Sequence, residues 1–572
     1  MIKNILKRIS KIGNLVVAWF NFSMFFAMRP CWSGISKTLG YGNNQTWLLY
    51  NLPVLVCGLL LIIAITTTVF YIKSNKNKNL WSYIFNGINL AFFVVILVII
   101  KLGAIDYLDY VWPNFFKYVG LAALLLLLIF FIFVYPKTSL HNNKIFKLST
   151  LSIVLILLSG YLVNFTFNSI KTGAVVYAVE NEYQIVFSSA TKGRAWVEIN
   201  GTRYFDNYNG SNRTNQKIHK VIIPMEILDE AKQYTIHVQK TNYRGPFGGY
   251  LGKDISEKYS FRPVDCSDGL NYYSISDIHM AKKASIKAYS YTQNNELLIV
   301  GGDIVSMMDT FYDANLVNEI VHEMTNGEIA VVYSRGNHEI KGKYAEQFHK
   351  FVGAKNESFY YSFYLDEIYG LVLDMGEDHD DYFWEYYDTA YFDEYRNKQI
   401  EFLRNEVNKK EYENYDYKLV VSHIPLVFIN NRKDHKLVKE TMTELLNQMD
   451  IDMVISGHQH DLFVFEPDTV KYNKDGKMVY NKDFTSKKTY AGLVTNHNFI
   501  NILVSKGGYS QTDSSNKSSH IGMSTIVDFT NNTQTCIFNN SKHEKVNIVH
   551  PFANINYGNE IVFDLTTHKS VN

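Results

Sequence analysis

Histidine, aspartate and asparagine residues recur in short polar strings in the second half of this chain. The five strings are Asp277-x-His279, Gly302-Asp303, Gly336-Asn337-His338-Glu339, His423 and Gly457-His458-x-His460. Imidazole and carboxylate ligands without thiolate suit Mn, Fe or Zn better than a soft metal. A single string of this kind is more often a turn or a cap. Five strings together indicate a site for two divalent metal ions that share an anionic bridge.

A short apolar run that predicts a buried β-strand precedes each of the five strings. These runs are Asn271–Ile275, Glu296–Val300, Ile329–Tyr333, Tyr417–Val421 and Met453–Ile455. Polar, helix-like stretches separate the runs, and this alternation is typical of α/β layers. Because open α/β sheets bind ligands at the carboxyl ends of their strands, we expect the five strings to converge there.

The order D-x-H, G-D, G-N-H-E, H and G-H-x-H resembles the pattern of calcineurin-like metallophosphoesterases, over roughly residues 268–510. The resemblance implies an α/β/β/α four-layer sandwich and a metal-dependent phosphoric ester hydrolase. It also implies two divalent ions, each held by four residues. One ion would be held by Asp277, His279, Asp303 and His460, and the other by Asp303, Asn337, His423 and His458.

The same resemblance implies a mechanism in which a metal-bridging hydroxide attacks phosphorus. Asn337 would help to neutralise the phosphoryl oxygens, and His338 would stabilise that charge or protonate the leaving oxygen. The expected reaction is hydrolysis of a phosphomonoester or phosphodiester. Two alternatives stay open: a non-catalytic metal-binding or phosphate-sensing membrane protein, and a hydrolase of a lipid-linked phosphate or pyrophosphate. The expected partners are a phosphorylated small molecule or lipid.

Several positions depart from related families. Purple acid phosphatases carry Tyr three residues after the bridging Asp, where this chain has Ser306, and Gly in place of His279. No purple chromophore is therefore expected. Protein Ser/Thr phosphatases carry G-D-x-x-D-R-G, which this chain lacks after Gly302. Arg335 does match their R-G-N-H-E string, and it could contact phosphate or form a surface ion pair.

An acidic and aromatic insertion occupies residues 376–387, GEDHDDYFWEYY. A loop of this length beside a metal site is a candidate substrate lid. Its rings could stack on a base or a sugar, and we include Asp378 and His379, with Arg335, as candidate substrate-binding residues. The alternative is a solvated surface insertion with a few buried rings.

Residues 173–262 show short alternating runs separated by turn signals, among them the hairpin dipeptide Asn200-Gly201. This stretch resembles the fibronectin-like domain that precedes the catalytic domain of purple acid phosphatases, so a small β-sandwich is predicted. It would act as a spacer or wall one side of the site. The catalytic domain is predicted at 268–572, with short C-terminal strands after residue 510 completing its second sheet.

Residues 1–172 hold nearly all the long apolar runs and predict a transmembrane region of four to five helices. The runs are Trp47–Ile72, Leu80–Ile100, Phe115–Tyr135 and Leu148–Phe167, with a shorter fifth at Gly13–Met28. Basic loops near Lys73 and Lys144 face the cytoplasm by the positive-inside rule, and the loop near Asp106 faces outside. Five spans place the catalytic domain outside the cytoplasm, which we predict, whereas four would place it inside.

The whole sequence therefore predicts a multi-domain, multi-pass integral membrane protein. Its net charge of +1 over 572 residues gives no electrostatic case for a nucleic-acid partner. The four cysteines, Cys31, Cys57, Cys266 and Cys536, form no C-x-x-C pair and give neither a disulfide framework nor a thiolate zinc site.

Overall fold

The computed structural model describes residues 168–244, 249–386, 388–430, 435–469, 492–505, 520–549 and 555–571, with a few isolated residues before 168. The chain divides into two compact units, Met1–Phe167 and Asn168–Asn572. The predicted membrane spans fall in the first unit, essentially outside the described residues, and they stay a prediction. Among the residues that are described, none of the helices has the length and apolar character needed to cross a bilayer.

The second unit contains twenty-five strands and five α-helices among its described residues. The first part holds β1 (Ile170–Val179), β2 (Glu182–Ile199), β3 (Thr202–Phe205), β4 (Asn207–Tyr208), β5 (Ser211–Asn212), β6 (Gln216–Pro224), α1 (Met225–Ala231), β7 (Gln233–Arg244) and β8 (Gly249–Ser260). Next come β9 (Leu270–Ile275), α2 (Lys282–Tyr289), β10 (Leu297–Val300), α3 (Phe311–Thr325) and β11 (Ala330–Tyr333).

The remaining elements complete the fold. They are β12 (Tyr361–Leu365), β13 (Ile368–Leu373), α4 (Phe392–Lys409), β14 (Tyr417–Ser422), β15 (Phe428–Asn430), α5 (Lys436–Gln448), β16 (Met453–Ser456) and β17 (Phe463–Phe465). The last are β18 (Gly492–Val494), β19 (Ile500–Leu503), β20 (Ile521–Asp528), β21 (Thr533–Asn540), β22 (Ile548–Val549), β23 (Asn556–Gly558), β24 (Glu560–Asp564) and β25 (Lys569–Ser570). Three short 3-10 helices lie at Ala345–Lys350, Trp384–Tyr386 and Glu411–Asn414.

Two sheets share one hydrophobic core. The larger sheet runs in the order β25-β24-β21-β20-β9-β10-β11-β1-β2-β7-β8, and the smaller in the order β12-β13-β14-β16-β19-β17. Successive strand residues point to opposite faces. Thus Ile299 of β10 and Val421 of β14 both lie in the shared core, whereas Val420 lies in a second core with Leu403 of α4 and Met442 of α5. The predicted α/β sandwich is confirmed for this part of the chain.

The five strands predicted to precede the polar strings are present, each within one residue of its predicted bounds. Strands β9, β10 and β11 are parallel neighbours in the larger sheet. Strands β14 and β16 are parallel neighbours in the smaller sheet. Within each sheet the carboxyl ends therefore share one edge, so the loops that follow these strands can converge.

The strands between residues 170 and 260 continue the larger sheet. Strand β1 pairs in parallel with β11, with Val176 opposite Ala330 and Tyr177 opposite Val331. On its other side β1 pairs with β2, which in turn pairs with β3, β6 and β7. Strands on both sides of the domain boundary predicted between residues 262 and 268 thus belong to the same sheet. Strand β1 is buried on both faces along Ala174–Val179, as expected for an interior strand of a sheet that is covered on both sides.

Two smaller expectations have different outcomes. The Asn200-Gly201 hairpin is confirmed, because both residues have positive φ, 49° and 79°, between paired strands β2 and β3. The strands near the C terminus do not complete the second sheet as expected, and that prediction is wrong. Strand β20 pairs with β9 and β21 pairs with β20, so both extend the larger sheet.

Helix α3 fixes β1 against the catalytic layer through buried polar contacts. The Tyr177 hydroxyl donates to Asn318 Oδ1 at 2.9 Å, and Asn318 Nδ2 donates to the Phe351 carbonyl at 2.7 Å. His322 Nδ1 lies 2.9 Å from the Ala174 carbonyl. The first strand is therefore held by the same helix that covers the catalytic sheet.

We expect Asn318→Ala to lower the thermal unfolding temperature clearly. It leaves the Tyr177 hydroxyl and the Phe351 carbonyl without their partner, at a cost of about 1–3 kcal/mol for each buried group. The matched control is Asn405→Ala on the exposed surface of α4, which should change stability by less than about 0.5 kcal/mol. Equal unfolding temperatures for the two variants would show that this contact does not anchor β1.

Candidate metal centre

Loops at the carboxyl ends of four strands bring ligand atoms into two overlapping groups. The first group is Asp277, His279, Asp303 and His460, and the second is Asp303, His423 and His458. Within each group the ligand atoms all lie within 4.8 Å of one another. Asp303 is common to both groups, which is the position that a bridging carboxylate would occupy. The six His and Asp residues fall into the same two groups that the family resemblance implied, and their role as metal ligands stays a prediction.

The spacing of these atoms fits shared coordination. His460 Nε2 lies 3.0 Å from His279 Nε2 and 3.3 Å from Asp277 Oδ1, and His423 Nε2 lies 3.4 Å from Asp303 Oδ2. Metal–ligand bonds of about 2.0–2.2 Å place neighbouring ligands roughly 3.0–3.5 Å apart. Within the described part of the chain, the buried atoms Asp277 Oδ1 and His423 Nε2 make no hydrogen bond. The donor set therefore fits two divalent ions.

Asn337 and His338 follow β11 and face the same cluster. Asn337 Oδ1 lies 3.1 Å from His458 Nδ1, which places the amide oxygen beside the second group. His338 Nδ1 lies 2.8 Å from the Ser306 carbonyl, so this nitrogen carries the proton and donates it. His338 Nε2 then faces Asp303 Oδ2 at 3.8 Å. The predicted acid, His338, is therefore adjacent to the shared carboxylate, and the predicted ligand Asn337 is adjacent to His458.

Five predicted ligands have left-handed backbone conformations. Their φ values are 51° for Asp277, 44° for His279, 54° for Asp303, 69° for His458 and 53° for His460. Non-glycine residues in such conformations cost on the order of 1–3 kcal/mol each, and they persist only where the surroundings impose them. The clustering of five such residues indicates that the loops are shaped for the site.

Glu339 imposes the shape of the loop that carries Asp303. Its buried carboxylate accepts hydrogen bonds from the backbone N–H groups of Asp303 and Ile304 at 2.9 and 2.7 Å, and from Gly336 at 2.8 Å. Gly336 is required there, because a Cβ atom would lie 2.3 Å from Asp303 Oδ1. Glu339 had no predicted role, although it ends the G-N-H-E string.

The acids and histidines of the site shift one another's pKa values strongly. Burial alone would raise the pKa of Asp303, but the charges of His423 and His338 outweigh it and hold that pKa well below the usual range. Asp277 shows the same balance, with His460 and His423 lowering its pKa. For His423, burial lowers the pKa, but Asp303 outweighs burial and raises it to about 10. Two buried carboxylates thus stay ionised and require positive charge, which bound metal ions would supply.

The three candidate substrate residues have other partners. Arg335 Nη2 lies 2.6 Å from Asp374 Oδ2, and its guanidinium lies 4.2 Å from the Phe359 ring centre. Of the two roles left open, the geometry favours an ion pair, although a largely buried one. Asp378 contacts His458 and His379 at 3.2 and 2.7 Å. Contact of these three residues with substrate stays a prediction without geometric support.

Residues 271–462 match the family model described as calcineurin-like phosphoesterase, so the chain contains a domain of this type. Among solved structures, a purple acid phosphatase isolated from yellow lupin (Lupinus luteus) seeds is similar, at 12% identity over 69% of this chain and 75% of that chain, with a TM-score of 0.45. GAP50, the anchor in the inner membrane complex of Plasmodium, is similar at 14% identity over 50% of this chain and 89% of that chain, with a TM-score of 0.31. The comparison with curated proteins gives no match. Since both TM-scores are below 0.5, the assignment of the domain rests on the family match.

We expect chelation of divalent ions to lower the unfolding temperature of the purified full-length chain, and added Mn²⁺ to restore it. Ions that bind only the folded state stabilise it, by about 2.7 kcal/mol when their free concentration is 100 times Kd. The matched control is Asp303→Asn, which removes the charge shared by both groups and should respond much less to the chelator. A wild-type unfolding curve that is identical with chelator and with Mn²⁺ would contradict the metal centre.

Proposed function

We propose that the chain is a dinuclear-metal phosphoesterase that hydrolyses phosphomonoester or phosphodiester bonds at this centre. The observation that carries the proposal is the pair of ligand groups sharing Asp303, within a calcineurin-like phosphoesterase domain. The complete ligand set also favours turnover over a purely sensing role, because a site that had lost catalysis would be expected to have lost ligands.

The metals, when bound, supply a water of lowered pKa and polarise the phosphoryl oxygens. The protein residues hold the ions in position and provide the proton for the leaving oxygen. Asp303 belongs to both groups and would help to hold both ions. Asn337 presents its amide oxygen to the second group. His338 Nδ1 donates a hydrogen bond to the Ser306 carbonyl, so Nε2 faces the centre. When the imidazole is a cation, protonated on both nitrogens, Nε2–H can protonate the leaving oxygen.

Attachment to a membrane through residues 1–172, and a catalytic domain outside the cytoplasm, belong to the same proposal. They are supported by the apolar runs and the charges of the loops between them. The substrate would be a phosphorylated small molecule or a lipid. A lipid substrate follows only if the apolar segments present it, and no contact between the described residues bears on that step.

Asp303→Asn should reduce hydrolysis of bis(4-nitrophenyl) phosphate and 4-nitrophenyl phosphate by more than about 100-fold, the upper end of what outer-shell substitutions cost. The loss has a direct cause, because Asp303 is the carboxylate common to both ligand groups. The matched control is Asp268→Asn, which alters an exposed carboxylate before β9 and should retain wild-type rates. Initial rates at saturating Mn²⁺ give the comparison. Wild-type activity in Asp303→Asn would refute the assignment of the centre.

His338→Gln should lower kcat more for an alkyl phosphate than for 4-nitrophenyl phosphate. A general acid contributes about 10²–10⁴-fold, and its contribution is largest when the leaving oxygen is strongly basic. Because 4-nitrophenolate leaves without protonation, its hydrolysis should be least affected. Parallel kcat measurements on both substrates check this role. Equal losses on both would instead assign His338 to charge stabilisation.

A further inference from the structure

The acidic insertion begins with two adjacent carboxylates, Glu377 and Asp378, that contact two different residues predicted to hold the second ion. Glu377 contacts Asn337, and Asp378 contacts His458. The sequence predicted Asp378 as a substrate residue and gave Glu377 no role. Their contacts with the side chains of predicted ligands suggest that they orient those ligands.

Glu377 determines which end of the Asn337 amide faces the centre. A carboxylate can only accept, so it is Asn337 Nδ2 that donates to Glu377 Oε1, at 2.8 Å. The amide oxygen must therefore point away from Glu377, and it lies 3.1 Å from His458 Nδ1. Glu377 is itself fixed, because it is 3% exposed and its Oε2 pairs with Lys341 Nζ at 2.9 Å.

Asp378 determines the tautomer of His458 by the same logic. Its Oδ2 lies 3.2 Å from His458 Nε2, and a carboxylate there requires the proton on Nε2. Nδ1 is then the nitrogen that would ligate an ion of the second group, and the other predicted donor atom, Asn337 Oδ1, lies 3.1 Å from it. The other oxygen of Asp378 lies 2.7 Å from His379 Nδ1, which limits rotation of the carboxylate. Carboxylates in this position orient metal-bound imidazoles and raise their basicity.

We infer that the Glu377-Asp378 pair is the positioning element of the second metal site. The inference rests on the proposed function, since it assumes that the two groups hold metal. It adds that the pair acts on two ligands that belong to the second ion alone, Asn337 and His458. Both contacts are with residues assigned to the second ion, whereas Asp277, His279 and His460 belong to the first group. Loss of either acid should therefore weaken the binding of the second ion and leave the binding of the first unchanged.

The test compares bound Mn²⁺ per full-length chain, measured by elemental analysis after equilibrium dialysis over a range of free Mn²⁺. Asp378→Ala should raise the Kd of one ion by about 10–100-fold and leave the other unchanged. Asp378→Asn keeps an oxygen that can accept from His458 and should have a smaller effect. Glu377→Gln should weaken binding of the same ion. The Gln amide can donate as well as accept, so it no longer requires the nitrogen of Asn337 to face it. The matched control is Asp380→Asn, an exposed acid of the same loop, which should bind two ions as the wild type does.

Two ions of wild-type affinity in both Asp378→Ala and Glu377→Gln would overturn the inference, as would an equal loss of both ions. Melting curves in excess chelator identify a variant that fails to fold. If Asp378→Ala fails, the comparison of Asp378→Asn with Asp380→Asn decides the question. A wild-type chain that binds two ions but hydrolyses no phosphate ester would refute the proposed function and leave this inference standing. A wild-type chain that binds no ion would overturn both.

Discussion

Two carboxylates, Asp277 and Asp303, are buried in one cluster and remain ionised there. Burying an ionised carboxylate is costly unless opposite charge and hydrogen bonds compensate it. Much of the local structure stabilises these two buried charges. His423 and His460 lie against the two acids, and Glu339 holds the loop that carries Asp303. The left-handed backbones of the predicted ligand residues are tolerated because these contacts offset their cost.

The two sheets contribute unequally to the two groups of ligands. Asp277, His279 and Asp303 follow strands of the larger sheet, whereas His423, His458 and His460 follow strands of the smaller one. Each group therefore contains residues from both sheets. An ion in either group would join the sheets at their carboxyl edge, beyond the apolar core that packs them elsewhere. Metal binding and closure of the sandwich are thus linked, as in other proteins whose ligands come together only on folding.

The strands and candidate ligands of the centre could be predicted from the sequence because their signals are local. Each apolar run predicts a strand by itself, and each polar string lies directly after one. The pairing of β1 with β11 had no such signal, since its partner lies about 150 residues further along the chain. Partners of Glu339, Glu377 and Asp378 depend on how loops fold over the site. Short polar strings specify which residues are present there, but not which neighbour each will contact.

Arg335 shows why a shared string does not transfer a role. Its R-G-N-H-E context matches that of protein Ser/Thr phosphatases, but its guanidinium pairs with Asp374, which is 1% exposed, and lies against Phe359. Tyr395 also donates to Asp374 Oδ2 at 3.0 Å. If Arg335 turned toward a phosphate, Asp374 would keep a buried charge with only neutral donors beside it, which costs several kcal/mol by the order of magnitude for broken buried pairs. The ion pair is therefore the stable arrangement, and in the proposed reaction neutralisation of the phosphoryl group would come from the metal ions, Asn337 and His338.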